Sequence, residues 1–158
     1  RYHYEQLNEK LLVQCTNKQP LMVPIQLDVS SNVLAQYMTI NEKTAFFGIE
    51  FEPFGTDQLI LREIPLWFHD VDQKQFLQDL LDYFVENQDV DMAKLRKHMI
   101  ATMACHSSIR FNRPLSMQEM KQVILDLQKC KQPYHCPHGR PTVIVMSDSE
   151  LRKEFERG

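Results

Sequence analysis

The stretch of sequence that decides the fold class is residues 45–64, AFFGIEFEPFGTDQLILREI. Two apolar runs, residues 45–51 and 58–64, flank residues 53–57, which contain the proline, glycine and aspartate typical of turns. This pattern predicts an antiparallel hairpin. Helices are predicted on both sides of the hairpin, so we expect an α/β (α+β) fold.

Apolar residues at helical spacing account for most of the remaining chain. Capping residues place several of the helix starts: Ser30 or Ser31, Asp91, and the capping box of Ser116 with Glu119. Two further segments, residues 21–27 and 142–146, are predicted as strands, the second of a buried type. The predicted helices cover residues 1–14, about 30–43, 76–84, 91–103, 116–127 and 148–157.

The segment of residues 18–90 has helices and a hairpin of its own. We therefore predict that it is a small inserted subdomain, and that residues 1–17 and 91–158 pack together as a second, helix-rich subdomain. A chain of 158 residues is long enough for two such subdomains around a shared core. It does not begin with Met, and we expect it to be a fragment of a longer protein.

Composition and charge restrict the class of protein. Apolar residues make up 43% and charged residues 25%, as in an ordinary globular domain. No apolar run approaches the roughly 20 residues that span a bilayer, and the polar residues 1–10 do not resemble a signal peptide. We expect a soluble cytoplasmic protein without a membrane partner. Its four cysteines are then more plausible as free thiols or metal ligands than as disulfides.

The sharpest candidate site is CPHGRP, residues 136–141. In an extended backbone, the Cys136 thiolate and the His138 imidazole would project from one face and could bind one metal ion. Zinc favours sulfur and nitrogen ligands, and Cys105 is a third candidate. A structural zinc site needs four ligands, and these candidates number three. The alternative to a metal site is that residues 136–141 form a structural loop and that Cys105 is a core residue.

A second candidate is QPLMVP, residues 19–24, which places a glutamine ahead of apolar residues in an extended segment bounded by prolines. Such a segment could lie in a hydrophobic groove on a partner protein. The alternative is an ordinary strand that enters the inserted subdomain. The residues that would contact the partner are Gln19, Leu21, Met22, Val23 and Pro24.

Taken together, these motifs resemble the C-terminal domain of the bacterial MutL family of DNA mismatch-repair proteins, of the type that nicks DNA. CPHGRP is similar to the family's most distinctive C-terminal motif, and ACH at residues 104–106 to its A-C-[RKH] motif. FER at residues 155–157 resembles the family's terminal Phe-x-Arg. Residues 19–24 are similar to the segment that binds the replication sliding clamp. The motifs occur in the family's order and cover essentially the whole chain.

The resemblance implies a metal-dependent endonuclease, controlled by the clamp, with Zn²⁺ bound by Cys105, Cys136 and His138. It implies Mn²⁺ at a neighbouring oxygen-rich position, and ATP only in an N-terminal domain outside this chain. Arg140 could orient a phosphate or brace the loop. Glu5 resembles the final glutamate of the endonuclease signature, whose earlier residues would precede Arg1, so this chain alone is expected to be inactive.

The resemblance also implies roles for the subdomains and a set of partners. Residues 1–17 and 91–158 would form the dimerisation and metal-site subdomain, and residues 18–90 an external regulatory one. The expected partners are DNA, the sliding clamp, the mismatch-recognition protein MutS and a second copy, in the bacterial cytoplasm at the nucleoid. A net charge of -3 predicts weak DNA affinity, which clamp tethering would offset. The alternative is a non-catalytic dimerisation and partner-binding module.

Overall fold

The computed structural model describes residues 1–13, 17–68, 72–109 and 112–155. Within these residues it has seven α-helices, one 3-10 helix and one three-stranded antiparallel sheet, which confirms the α+β class. The elements in chain order are α1 (Tyr2–Val13), β1 (Lys18–Asp28), α2 (Ser31–Ala35), α3 (Tyr37–Thr44), the 3-10 helix (Ala45–Phe47), β2 (Glu52–Phe54), β3 (Gln58–Pro65), α4 (Gln73–Glu86), α5 (Met92–His106), α6 (Met117–Gln128) and α7 (Asp148–Phe155).

The sheet has the strand order β1-β3-β2, so β1 and β2 are its edges. Pairs such as Leu27 with Leu59 set the register of β1 against β3, and both side chains are buried. The predicted strand at residues 58–64 is confirmed. The predicted strand at residues 21–27 is confirmed as the middle of a longer edge strand.

The predicted strand at residues 45–51 is wrong. Its first residues form the 3-10 helix, and Gly48 then turns the chain with a left-handed φ of 82°. Phe47, Ile49 and Phe51 are nonetheless buried. The apolar run therefore indicates burial and not a strand conformation. The hairpin itself exists, with the three-residue β2 as its first strand and Gly55 (φ 67°) in its turn.

The predicted helix at about residues 30–43 is present in two parts. Ser30 caps its start, and its hydroxyl accepts a hydrogen bond from the Val33 N–H. Gln36 leaves the helical region with φ -102° and ψ 4°, and α3 begins after it. No proline or glycine marks this break in the sequence, which is why the periodicity predicted one helix.

The four helices of the second half agree with the prediction, because local capping signals determine where three of them begin. Asp72, Asp91 and Ser116 each accept a hydrogen bond from a backbone N–H in the first turn of α4, α5 and α6. The capping box of Ser116 and Glu119 is present in full. None of the helices in the described residues is long and apolar enough to span a bilayer.

The predicted buried strand at residues 142–146 is wrong. These residues form no strand, and Ile144 and Val145 are 73% and 88% exposed. No strand within the described residues pairs with them. High β-propensity reflects a fit to a pleated, half-buried surface, and without a neighbouring strand it does not by itself produce one.

The chain forms two compact units, one of residues 1–2 with 114–158 and a larger one of residues 3–113. In the larger unit, Leu11 of α1 and Leu95 of α5 belong to the same buried cluster as the sheet and α4. Residues 3–13 and 91–109 therefore group with the sheet in this division. The grouping of residues 1–17 with 91–158 stays a prediction. The assignment of residues 18–90 to an inserted regulatory subdomain stays a prediction.

Candidate functional site

The CPHGRP segment forms a tight hydrogen-bonded turn. The Gly139 N–H donates to the Cys136 carbonyl at 2.9 Å, and the Cys136 N–H donates to the Arg140 carbonyl at 2.8 Å. Gly139 has a φ of 85°, which glycine adopts without strain. The expectation of an extended backbone at residues 136–138 is therefore wrong, because proline and glycine favour a turn here instead.

The turn directs backbone donors at the Cys136 sulfur, and the Arg140 N–H lies 3.3 Å from it. Burial raises the pKa of the Cys136 thiol. The N–H groups of Arg140 and His138, with the positive charge of Arg140, lower that pKa and outweigh burial, so it lies below its ordinary value. The lowered pKa makes the thiolate, which is the form that binds zinc, easier to form than at an ordinary cysteine.

Arg1 braces this turn from the other end of the chain. Its Nε donates to the His135 carbonyl at 2.5 Å, and its Nη2 donates to the Cys136 carbonyl at 3.1 Å. The Arg140 guanidinium is exposed and has no hydrogen-bond or ion-pair partner among the described residues. Because Arg1 braces the loop, the Arg140 side chain is available to bind an anionic group such as a phosphate.

Cys105 is an exposed free thiol near the end of α5, in the larger compact unit. The alternative that it is a core residue is therefore wrong.

The next residue, His106, is largely buried, and its Nε2 lies 3.0 Å from an Asp79 carboxylate oxygen on α4. Sequence reasoning missed this pair, since no spacing signal connects residues 27 positions apart on two helices.

The structure places two of the three expected zinc ligands, Cys136 and His138, on one turn, and Cys105 in the other unit. Among the described residues, no group of three or more His, Cys, Asp or Glu side chains could hold a metal ion. A thiol with a lowered pKa, two residues from an imidazole, has the donor chemistry of half a zinc site. The ligand set expected from the sequence stays a prediction.

The remaining motif residues have simpler placements. Glu5 lies in the first turn of α1 and is half-buried. Phe155, the first residue of the FER motif, is exposed at the end of α7, and residues 156–157 lie outside the described residues. Of the other cysteines, Cys130 is buried and its thiol donates to the Asp126 carbonyl.

The predicted recognition segment is a bulge on the edge strand. Pro20 pairs with Glu63 and Ile25 pairs with Leu61, so residues 21–24 of β1 stand opposite residue 62 alone. Met22 is fully exposed, and Val23 is 79% exposed. An exposed apolar bulge on an edge strand is a surface available to a partner.

Comparisons with known proteins are consistent with these motifs. A family model described as "MutL C terminal dimerisation domain" matches residues 1–115. The chain belongs to this family. The MutL relatives extend the match: proteins named "DNA mismatch repair protein MutL" from Shouchella clausii and an Exiguobacterium species are 33% and 35% identical, each over 99% of this chain.

The MutL match over the whole chain includes the CPHGRP turn, which lies beyond the residues that the family model covers. The chain covers 24% of the Shouchella protein and 26% of the Exiguobacterium protein. It therefore spans about a quarter of the length of these curated relatives. The sequence-based resemblance to the MutL family is confirmed.

Proposed function

We propose that this chain dimerises within a DNA mismatch-repair protein and supplies part of a metal-dependent endonuclease that nicks DNA. The observation that carries the proposal is the CPHGRP turn, in which backbone N–H groups favour the Cys136 thiolate beside His138. Such a protein acts on chromosomal DNA, and so in the bacterial cytoplasm at the nucleoid. Its contact with MutS would involve the complete protein.

Each candidate site residue has its own proposed role. Cys136 and His138 would hold Zn²⁺, with Cys105 as the third ligand, and an oxygen-rich position nearby would suit Mn²⁺. Bound divalent ions supply charge neutralisation at the phosphate and an activated water. The exposed Arg140 guanidinium would bind phosphate oxygens in a bidentate manner and orient the DNA backbone. Glu5 would contribute a carboxylate, and ATP would be bound outside this chain.

Metal content tests the site directly. In the complete protein, we expect near-stoichiometric zinc by elemental analysis, and Cys136→Ser should weaken zinc binding by about tenfold or more because it removes a thiolate ligand. Cys130→Ser is the matched control, since Cys130 lies in the same compact unit and is not among the expected zinc ligands. Equal zinc in both variants would contradict the proposal.

Dimerisation is supported by the surface of the smaller unit. Apolar side chains of α6, residues 143–146 and α7 are exposed there in large numbers, which is typical of a surface that another chain covers. The family description assigns dimerisation to residues 1–115, and we propose that a second copy also covers this surface of the smaller unit. The exposed apolar residues are Met117, Met120, Val123, Ile124, Leu125, Val143, Ile144, Val145, Met146, Leu151 and Phe155.

Control by the sliding clamp is supported by the bulge at residues 21–24. We expect Gln19→Ala combined with Met22→Ala to weaken clamp binding by about 30-fold or more, as for a lost hot spot. Folding should not change, because Met22 is fully exposed and contributes no core packing. Titration of purified clamp into the labelled protein measures the affinity, and circular dichroism measures the fold.

Met38→Ala is the control for the clamp experiment, because Met38 is an exposed methionine on α3 and not part of the β1 bulge. Its affinity for the clamp should equal that of the unaltered protein. Unchanged clamp binding in the Gln19 and Met22 variant would remove the recognition role of β1.

A non-catalytic dimerisation and partner-binding module is the second candidate. It is favoured by one observation: no group of three ligand side chains is assembled within the described residues. This module would dimerise and bind the clamp, but the complete protein would hold no zinc and would leave supercoiled plasmid intact in the presence of Mn²⁺.

A further inference from the structure

A hydrogen bond between His106 and Asp79 joins the last turn of α5 to α4. The His106 Nε2 lies 3.0 Å from the Asp79 Oδ2, and the two side chains are 12% and 33% exposed. Because an ionised carboxylate only accepts hydrogen bonds, the imidazole donates from Nε2. A hydrogen bond to a charged group that is partly shielded from water is stronger than a neutral one at an open surface. This contact therefore holds both side chains in place.

The Asp79 carboxylate is also oriented by its own helix. The Gln75 Nε2 donates to the Asp79 Oδ1 at 2.8 Å, because residues four positions apart are neighbours on the surface of a helix. Both carboxylate oxygens therefore have donors. The other imidazole nitrogen of His106, Nδ1, is buried and has no hydrogen-bond partner among the described residues. The orientation of the imidazole thus depends on Asp79.

The other polar side chains at the end of α5 bond within the helix. The hydroxyls of Ser107 and Ser108 donate to backbone carbonyls of α5 itself. Among the described residues of this turn, His106 has the one side-chain hydrogen bond to another element. Met103 and Ala104 are buried, but apolar packing is non-directional, whereas a hydrogen bond has a preferred angle. The bond to α4 therefore fixes the rotation of the last turn of α5.

Cys105 immediately precedes His106 in this turn, and its thiol is exposed. Successive residues of a helix point about 100° apart, so fixing the direction of one side chain also fixes that of the next. A thiolate binds zinc at about 2.3 Å, with a tolerance of about 0.2 Å. The direction of the Cys105 side chain therefore decides whether its sulfur can reach an ion held by other ligands.

We propose that Asp79 and His106 are positioning residues that hold the Cys105 thiol in the direction in which it binds zinc. This inference rests on the proposed function, in which Cys105 is the third zinc ligand. Asp79 and His106 do not bind the ion themselves, and they act through the turn that contains Cys105. Removing an outer group that orients a metal ligand typically weakens metal binding by about 10- to 100-fold.

The zinc affinity of the complete protein, measured by competition with a chromophoric chelator, tests the proposal without depending on nicking activity. Asp79→Ala removes the acceptor of the imidazole and should weaken zinc binding by about tenfold. Asp82→Ala is the matched control and should leave the affinity unchanged. Asp82 is an exposed aspartate of α4 that also accepts from a glutamine of its own helix, and it has no hydrogen bond to α5 among the described residues. Equal zinc affinities of the two variants would overturn the proposal.

A double-variant cycle decides whether the pair acts through Cys105. Cys105→Ser should weaken zinc binding by itself, and Asp79→Ala should then cause no further loss in the Cys105→Ser protein. A further tenfold loss there, about as large as in the unaltered protein, would overturn the proposal. Unchanged zinc binding in Cys105→Ser would contradict the ligand assignment of the proposed function and this inference with it. Weaker binding in Cys105→Ser but not in Asp79→Ala would overturn this inference alone.

A conservative variant separates a positioning role from a ligand role for His106. His106→Gln retains an N–H donor that can reach Asp79, so it should keep most of the zinc affinity, whereas His106→Ala should weaken zinc binding by about tenfold. Circular dichroism of the zinc-free variants checks that their helix content is unchanged. An equal loss of zinc affinity in both variants would show that the imidazole itself is required, and would overturn the positioning role.

Discussion

Replacing His138 by alanine in the complete protein is expected to lower manganese-dependent nicking of supercoiled plasmid by about 100-fold or more. The loss follows from removing an imidazole ligand beside the Cys136 thiolate. Dimerisation should be unchanged, because His138 is exposed and contributes no core packing. Conversion of supercoiled to open-circle plasmid measures nicking, and light scattering measures the oligomeric state.

His135→Ala is the matched control for this experiment. His135 is an exposed histidine at the base of the same turn, and its backbone carbonyl, which accepts from Arg1, survives the substitution. Nicking by this variant should stay close to that of the unaltered protein. Retained nicking in His138→Ala would exclude His138 from the site, and equal loss in both variants would indicate general damage to the turn.

Replacing Trp67 by alanine is expected to lower the free energy of unfolding of the larger unit by about 3–5 kcal/mol. Trp67 is 2% exposed and lies edge-to-face with Phe68 at a ring distance of 5.7 Å. Its Nε1 also donates to the Phe47 carbonyl at 3.0 Å, so the substitution leaves a cavity and a carbonyl without its donor. Urea unfolding followed by circular dichroism measures the change.

Phe54→Ala is the control for Trp67, because it removes a large aromatic side chain that is exposed on the short edge strand β2. Its effect should stay within about 1 kcal/mol. The slope of the free energy with urea should not change in either variant if unfolding remains two-state. An effect of Trp67→Ala as small as that of Phe54→Ala would contradict its place in the core.

Local signals in the sequence were sufficient for most of the helices. The capping residues Asp91 and Ser116 are read correctly because their hydrogen bonds involve only residues three positions away. The family was also within reach of the sequence, since CPHGRP and the other motifs carry it without any knowledge of the fold. The turn of residues 136–139 is formed by hydrogen bonds between residues close in the chain. Its proline and glycine are therefore enough to predict a turn, although the interpretation as a metal site assumed an extended backbone.

The features that only the tertiary structure decided all depend on partners distant in the chain. The apolar run at residues 45–51 reads as a strand, but its burial is achieved by an irregular segment after Gly48. The bulge at residues 21–24 arises from the pairing of β1 with β3, more than 30 residues later. The pairing of His106 with Asp79 likewise depends on how α5 packs against α4. The periodicity of apolar residues indicates which side chains are buried. Which neighbours bury them or pair with them depends on how the elements pack.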